Sequence, residues 1–218
     1  NKKLHGQFME TVTEVITGNA TSDIENVPET QPVAIDKIEL LPMKGILINE
    51  QTGLSFGATH EEVDRILGSP AIKNNKGWEH SANVWEYPQH EMTLEFDEND
   101  LLMLFIFHTT GAERNIELVL HGKNLFITPD TALLPLLTHK NNNNITDENG
   151  GFSYIFPETG VALQRFMTTA MAEDMITDAK AQGSYEESKD YLESNLKKAP
   201  FFTKICMGTK DAVLLEEE

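Results

Sequence analysis

The chain has 218 residues, 39% of them hydrophobic, enough to bury a sizeable core, which excludes global disorder. Seventeen basic against thirty-five acidic side chains leave a net charge of −18. That field repels nucleic acid and anionic membrane surfaces and attracts cations and basic proteins.

In chain order, the first residues, Asn1 to His5, carry two lysines with no apolar run behind them, so no signal peptide is expected here. Leu4, Phe8, Val12, Val15 and Ile16 share one face of an amphipathic helix ending near Gly18. The stretch from Asn19 to Asp36 is polar and acidic, holds Pro28 and Pro32, and reads as a linker. Compact structure is expected from Lys37. Gly45 to Ile48 and Leu54 to Phe56 are short apolar runs joined by the turn-rich Asn49 to Gly53, a hairpin pattern. Thr59 and Glu62 then form a capping box, Val63, Ile66 and Leu67 give one apolar helix face, and Gly68-Ser69-Pro70 ends the helix.

Three strands are expected next, at Asn83 to Tyr87, Met92 to Phe96 and Leu101 to Phe107. Met92, Leu94 and Phe96 alternate with polar residues, the pattern of a half-buried antiparallel strand. The third is apolar throughout, so a central strand covered on both faces is expected, and it is far shorter than the roughly 20 residues of a membrane-spanning helix. Asp97-Glu98-Asn99-Asp100 forms the hairpin tip between the last two.

The same order then recurs. Leu118 to Leu120, the turn His121 to Asn124, and Leu125 to Ile127 repeat the hairpin; Thr128 repeats the N-cap with Pro129 at the first helical position. Pro135 should limit that helix to barely two turns or kink it. After an Asn-rich loop, Phe156 to Val161 lines up with Phe96 to Leu101 as a second hairpin tip. Helices are expected over Ala170 to Gln182 and, capped by Ser184 and Glu187, up to Pro200; Phe201 to Met207 reads as a last strand. The segments are thus 1–36, an N-terminal helix and linker; 37–115 and 116–167, two α+β modules; and 168–218, a C-terminal helical extension.

Phe56-Gly57-Ala58-Thr59, Val63 and Leu67-Gly68-x-Pro70 resemble the helix-entry signature of the outer-membrane-assembly small lipoproteins and of the related beta-lactamase inhibitor protein (BLIP-like) family. The resemblance implies an α+β fold of two tandem BLIP-like modules, each a short helix with an antiparallel sheet. It further implies a scaffold that binds other proteins through its sheet and loops. The chain departs from the lipoprotein pattern in having no lipobox cysteine, and Pro129 and Pro135 stand where a longer second helix would be expected.

The chemistry-bearing residues are sparse in pattern. His60 and Asp64 are spaced i, i+4 but lack a third metal ligand nearby, and an exposed helical ion pair accounts for them. Asp97-Glu98-Asn99-Asp100 and Asp147-Glu148-Asn149-Gly150 lack the ligand spacing of a calcium loop and read as solvated turns. Cys206 lies in an apolar segment and reads as a small packed hydrophobe rather than a nucleophile. No nucleophile elbow, phosphate loop or dinucleotide fingerprint is present, so neither an enzyme nor a bound cofactor or metal is expected.

What remains is a binding surface. Trp78, Trp85 and Tyr87, flanked by Glu79 and Glu86, read as core aromatics or as anchors on a concave sheet face that suits a partner bringing Arg and Lys. The acidic groups Asp97, Glu98, Asp100, Asp147, Glu148 and Glu158 would project toward the same partner. The first expectation is therefore an immunity-type inhibitor that covers the active site of a basic toxin or nuclease; the composition sets no oligomeric state. An envelope structural or assembly protein, and a hydrolase whose site assembles only in three dimensions, are the alternatives. A single cysteine suits a reducing compartment, so a cytoplasmic location is expected, or a periplasmic one if a leader has been removed.

Overall fold

A computed structural model describes residues 34–74, 83–109 and 116–209. The expected N-terminal helix, most of the linker, Trp78 and Glu79 lie outside the described residues, which all fall in one compact unit beginning at Gln31.

The chain enters through β1 (Lys37–Leu41), β2 (Gly45–Ile48) and β3 (Thr52–Ser55). Asn49 fixes this entry: its Oδ1 accepts from the backbone N–H groups of Asp36 and Lys37, and its Nδ2 donates to the Ala34 carbonyl. Helix α1 (His60–Leu67) follows, with the expected capping box at Thr59 and Glu62 and Gly68 at its end, φ 76°. Then come β4 (Ile72–Asn74), β5 (Asn83–Tyr87), β6 (Met92–Phe96) and β7 (Leu102–His108). The second half runs β8 (Glu117–Leu120), β9 (Lys123–Asn124), α2 (Asp130–Lys140), β10 (Thr146–Glu148), β11 (Ser153–Phe156) and β12 (Val161–Gln164). Helices α3 (Thr169–Ala181) and α4 (Tyr185–Lys198) then lead to β13 (Lys204–Gly208).

The architecture is α+β, with two mostly antiparallel sheets. The smaller has the order β3-β2-β1-β8-β9, with β1 and β8 parallel. The larger has the order β10-β11-β12-β13-β7-β6-β5-β4. It is two four-stranded meanders, β4 to β7 and β10 to β13, meeting where β7 pairs antiparallel with β13 from Leu104↔Gly208 to His108↔Lys204. One face of it shares a core with the smaller sheet and both preceding helices, uniting Phe105, Phe107, Phe156 and Ile205 with Ile38, Leu118, Val63 and Leu133. The other face buries a smaller cluster around Leu104, Ile106, Ala162 and Cys206. Strand β7 is central and buried on both sides, as its unbroken apolar run requires.

Several local expectations are corrected. The second hairpin turns on two residues only, His121 and Gly122, both with positive φ, the geometry that matches strand twist; Leu125 to Ile127 is turn rather than strand. Thr128 does not cap α2: Pro129 occupies the N-cap and offers no side-chain acceptor. Nor does Pro135 stop α2, which runs for 11 residues. Pro135 and Thr131, whose carbonyl loses its donor, are both solvent-facing, so water can satisfy that group. Ser184 makes no cap bond either, its Oγ turning back to the Ala179 carbonyl.

The alignment of the two hairpin tips also changes. Within its meander the 157–160 turn joins the second and third strands, and so does the turn around Pro88–His90, not the tip at Asp97. Thr59 to Tyr87 and Thr128 to Phe156 each span 29 residues. Where the first meander closes with a short tip between β6 and β7, the second inserts the α3–α4 hairpin between β12 and β13.

Arg165 holds that insertion to the sheet. The residue is 8% exposed, and burial of such a charge is tolerable because it is paired and hydrogen-bonded. Nη1 donates to Asp130 Oδ2 at 2.5 Å and to the Ala199 carbonyl at 3.2 Å, Nε donates to the Gly151 carbonyl at 2.7 Å, and the group lies 5.3 Å from the Phe202 ring. No helix among the described residues is long and apolar enough to cross a membrane.

Candidate functional site

The acidic tips converge on one end of the larger sheet. Register dictates this: β7 starts at Leu102, opposite Phe96 and two residues beyond the Leu104↔Gly208 pair, and β12 starts at Val161, opposite Phe156 and beside Met207, so both turns cap the same end of the sheet with the first projecting about three residues further along the strands. The two tips are three strand spacings apart across the sheet, roughly 14 Å at about 4.8 Å each, and roughly 10 Å apart along it at about 3.3 Å per residue.

The first tip is shaped by Asp97, whose Oδ1 accepts from the N–H groups of Asn99 at 2.8 Å and Leu101 at 2.9 Å. That bonding is an Asx turn, so the Asp97 carboxylate is spent on the loop's own backbone. Glu98 and Asp100 are left solvent-facing, Asp100 in the left-handed region at φ 60°. The base of the tip is tied to the start of α1, because Leu101 bridges Thr59 and Leu102 N–H donates to the Ala58 carbonyl.

The second tip is more tightly built. Thr159 N–H donates both to the Phe156 carbonyl and to Oδ1 of the fully buried Asn141, while Glu158 faces solvent and accepts from Asn144 Nδ2 at 3.3 Å. Gly160 has φ 64°, and a Cβ there would lie 2.2 Å from the Gly208 carbonyl oxygen and 3.0 Å from Met43 Sδ. The β1–β2 turn therefore meets the second tip, with Met43 itself left-handed at φ 61° and 44% exposed.

Other expected site residues go elsewhere. Trp85 and Tyr87 are not open anchors: both are core residues, and the Tyr87 hydroxyl donates to the Gly68 carbonyl. Burial pushes its ionisation far above the ordinary phenol range. Glu86 alternates to the opposite face of β5, where it accepts from Asn74 Nδ2. Asp147 and Glu148 lie along the edge strand β10, and Asp147 Oδ1 accepts from Gly151 N–H at 2.6 Å, closing a turn. The structure thus gathers Glu98, Asp100 and Glu158, with Asp97 spent on its own turn, and places Trp85, Glu86, Tyr87, Asp147 and Glu148 elsewhere.

Behind the first tip sits a cluster that the spacing of His60 and Asp64 only hinted at. The His60 ring stacks on Trp85 at 4.3 Å and meets the edge of Phe96 at 4.3 Å. Lys73 Nζ lies 4.1 Å from the centroid of the Trp85 ring and 3.8 Å from Asp64 Oδ2. Among the described residues no three His, Cys, Asp or Glu side chains converge as metal ligands. Met43 was also missed by sequence reasoning, although Pro42 followed by Met43 before Lys44-Gly45 is a turn signal that could have placed it.

Comparison with family models, with curated proteins and with solved structures finds no match to this chain.

Proposed function

We propose that this chain is a non-enzymatic protein-binding module, an immunity-type inhibitor that covers the active site of a basic toxin or nuclease. We further propose that it is built from two tandem divergent modules like those of the beta-lactamase inhibitor protein family. The observation that carries the reading is the convergence of Glu98, Asp100 and Glu158 on one end of the larger sheet. Three outward carboxylates spread over three strand spacings, roughly 14 Å across the sheet, on a chain of net charge −18, suit a partner surface bearing several Arg or Lys groups. Such charge acts mainly on the rate of encounter. The twice-repeated order of hairpin, helix and four-stranded meander supports the tandem reading.

The test is a pull-down from the source organism with wild-type bait and with a Glu98→Gln, Asp100→Asn, Glu158→Gln variant, washed at low and high salt. The expected result is one basic protein held near stoichiometry by the wild type at low salt, with association slowed about tenfold or more in the variant. Capture that is indifferent both to the three substitutions and to salt would sink the electrostatic reading. Asp97 is left unchanged because its replacement would unmake the turn rather than report on charge.

A further inference from the structure

We propose that His60 is a proton-operated latch that draws Asp100 of the β6–β7 tip onto helix α1 when its imidazole is charged and leaves Asp100 to Asn83 alone when it is neutral. Three geometric facts carry this. His60 Nε2 is buried and makes no hydrogen bond, although it points toward the tip and lies 3.9 Å from Asp100 Oδ1. The ring is already held in place by Trp85 and Phe96, so closing the gap requires motion of the tip rather than of the imidazole. The tip residue that must move, Asp100, is solvent-facing and anchored to the sheet through a hydrogen bond from Asn83 Nδ2 to the same Oδ1.

A neutral imidazole leaves one ring nitrogen without a partner at this spot. Gaining a proton makes Nε2–H a charged donor, and a charge-assisted bond to Asp100 would draw the pair from 3.9 Å to about 2.8 Å. Histidine is the side chain whose ordinary titration falls between pH 5 and 8.

The charged groups around the ring act in both directions. Asp100 from the tip, Asp64 one turn along α1, and Glu61 and Glu62 in the first turn favour the imidazolium. Lys73 from β4, held against the same Trp85 ring, opposes it, as does the positive end of the α1 dipole, because His60 is the first residue of that helix. Stacking on the Trp85 face favours a cation. Of these groups Asp100 is the carboxylate that sits on a hairpin turn facing Nε2, at 3.9 Å, so its approach is the response available to the added charge.

The experiment is a pH titration of the whole chain by NMR, following the His60 ring protons and the backbone amides of Asn99, Asp100 and Leu101. Wild type, Asp100→Asn and His60→Phe are compared. Asp100→Asn keeps an acceptor for Asn83 and removes only the charge; His60→Phe keeps a ring on Trp85 and removes only the proton site. The expected results are a lower His60 midpoint in Asp100→Asn than in wild type, and a tip-amide transition that coincides with His60 in wild type and vanishes in His60→Phe. Transitions near pH 4 belong to the carboxylates themselves and are separable. An unchanged His60 midpoint in Asp100→Asn would overturn the latch whether or not His60→Phe folds, and so would a tip transition that persists without the imidazole.

Discussion

The two four-stranded meanders of the larger sheet reach the same strand order by different means. The first, β4 to β7, closes with a short tip at Asp97 to Leu101 whose shape is held by one carboxylate. The second, β10 to β13, closes through a 39-residue excursion, from Arg165 to Thr203, that contains two helices. A local device suffices where strands are adjacent in sequence; a long insertion needs a nonlocal one, and here that is the buried Arg165 with Asp130. The halves therefore differ less in architecture than in where their stability resides.

The largest expected effect breaks the second half selectively. Arg165→Ala strands the Asp130 carboxylate and leaves the Gly151 and Ala199 carbonyls short of a donor, and should cost about 3–5 kcal/mol. A urea unfolding midpoint measures it, and a loss below about 1 kcal/mol would remove Arg165 from its linking role.

Gly160→Ala comes next. The added methyl would lie 2.2 Å from the Gly208 oxygen at a backbone φ of 64°, so at least about 2 kcal/mol is expected. The left-handed residue of the first tip is uncrowded by comparison, and Asp100→Gly should cost less than about 1 kcal/mol. Equal losses at the two positions would show that the tips are equally constrained.

Helix starts sharpen the comparison further. Thr59→Ala removes a working cap and should cost about 1 kcal/mol, whereas Thr128→Ala should stay within about 0.5 kcal/mol because that hydroxyl caps nothing. Thermal unfolding of the two variants separates them.

The smallest effect is in pH. His90, in the β5–β6 turn, is pushed down in pKa by burial, and the equivalent turn at 157–160 holds no histidine. A depressed histidine is neutral in the folded state. Its contribution is complete above the unfolded value of about 6.5 and is lost as pH falls below it. Wild type should therefore lose stability as pH falls below about 6.5, and His90→Phe should lose less over the same range. His121, lowered by burial and then by Lys140, adds to the slope in both proteins.

The two halves were also unequally legible. Helix α1, the strands β5 to β7 and the turn at Gly68 were readable because each carries its own signal: a capping box, alternation or an apolar run. Strands β4 and β10 were not, since their residues are mostly exposed and they exist only by pairing with β5 and β11. Strand β1 did alternate, with Ile38 and Leu40 inward, but its boundary was obscured by the acidic, proline-bearing segment before it. The central position of β13 and the parallel pairing of β1 with β8 are nonlocal choices that no window of sequence contains.

The site shows the same division. Asp97-Glu98-Asn99-Asp100 was recognisable as an acidic turn, yet which carboxylates bind backbone and which face solvent depends on turn geometry. Trp85 was ambiguous between core and anchor until its neighbours His60 and Phe96 were known.

The seam between β7 and β13 has a consequence for how the protein is made. Strand β13 is the thirteenth of thirteen described strands to leave the ribosome, and until it arrives β7 and β12 are both open edges in the nascent chain, flanked by Phe107 and Leu163. Those edges are templates for pairing with another chain. Translation that stalls before Lys204 would release a polypeptide with its middle strand missing, so cellular quality control has most to do on this sheet until β13 has emerged.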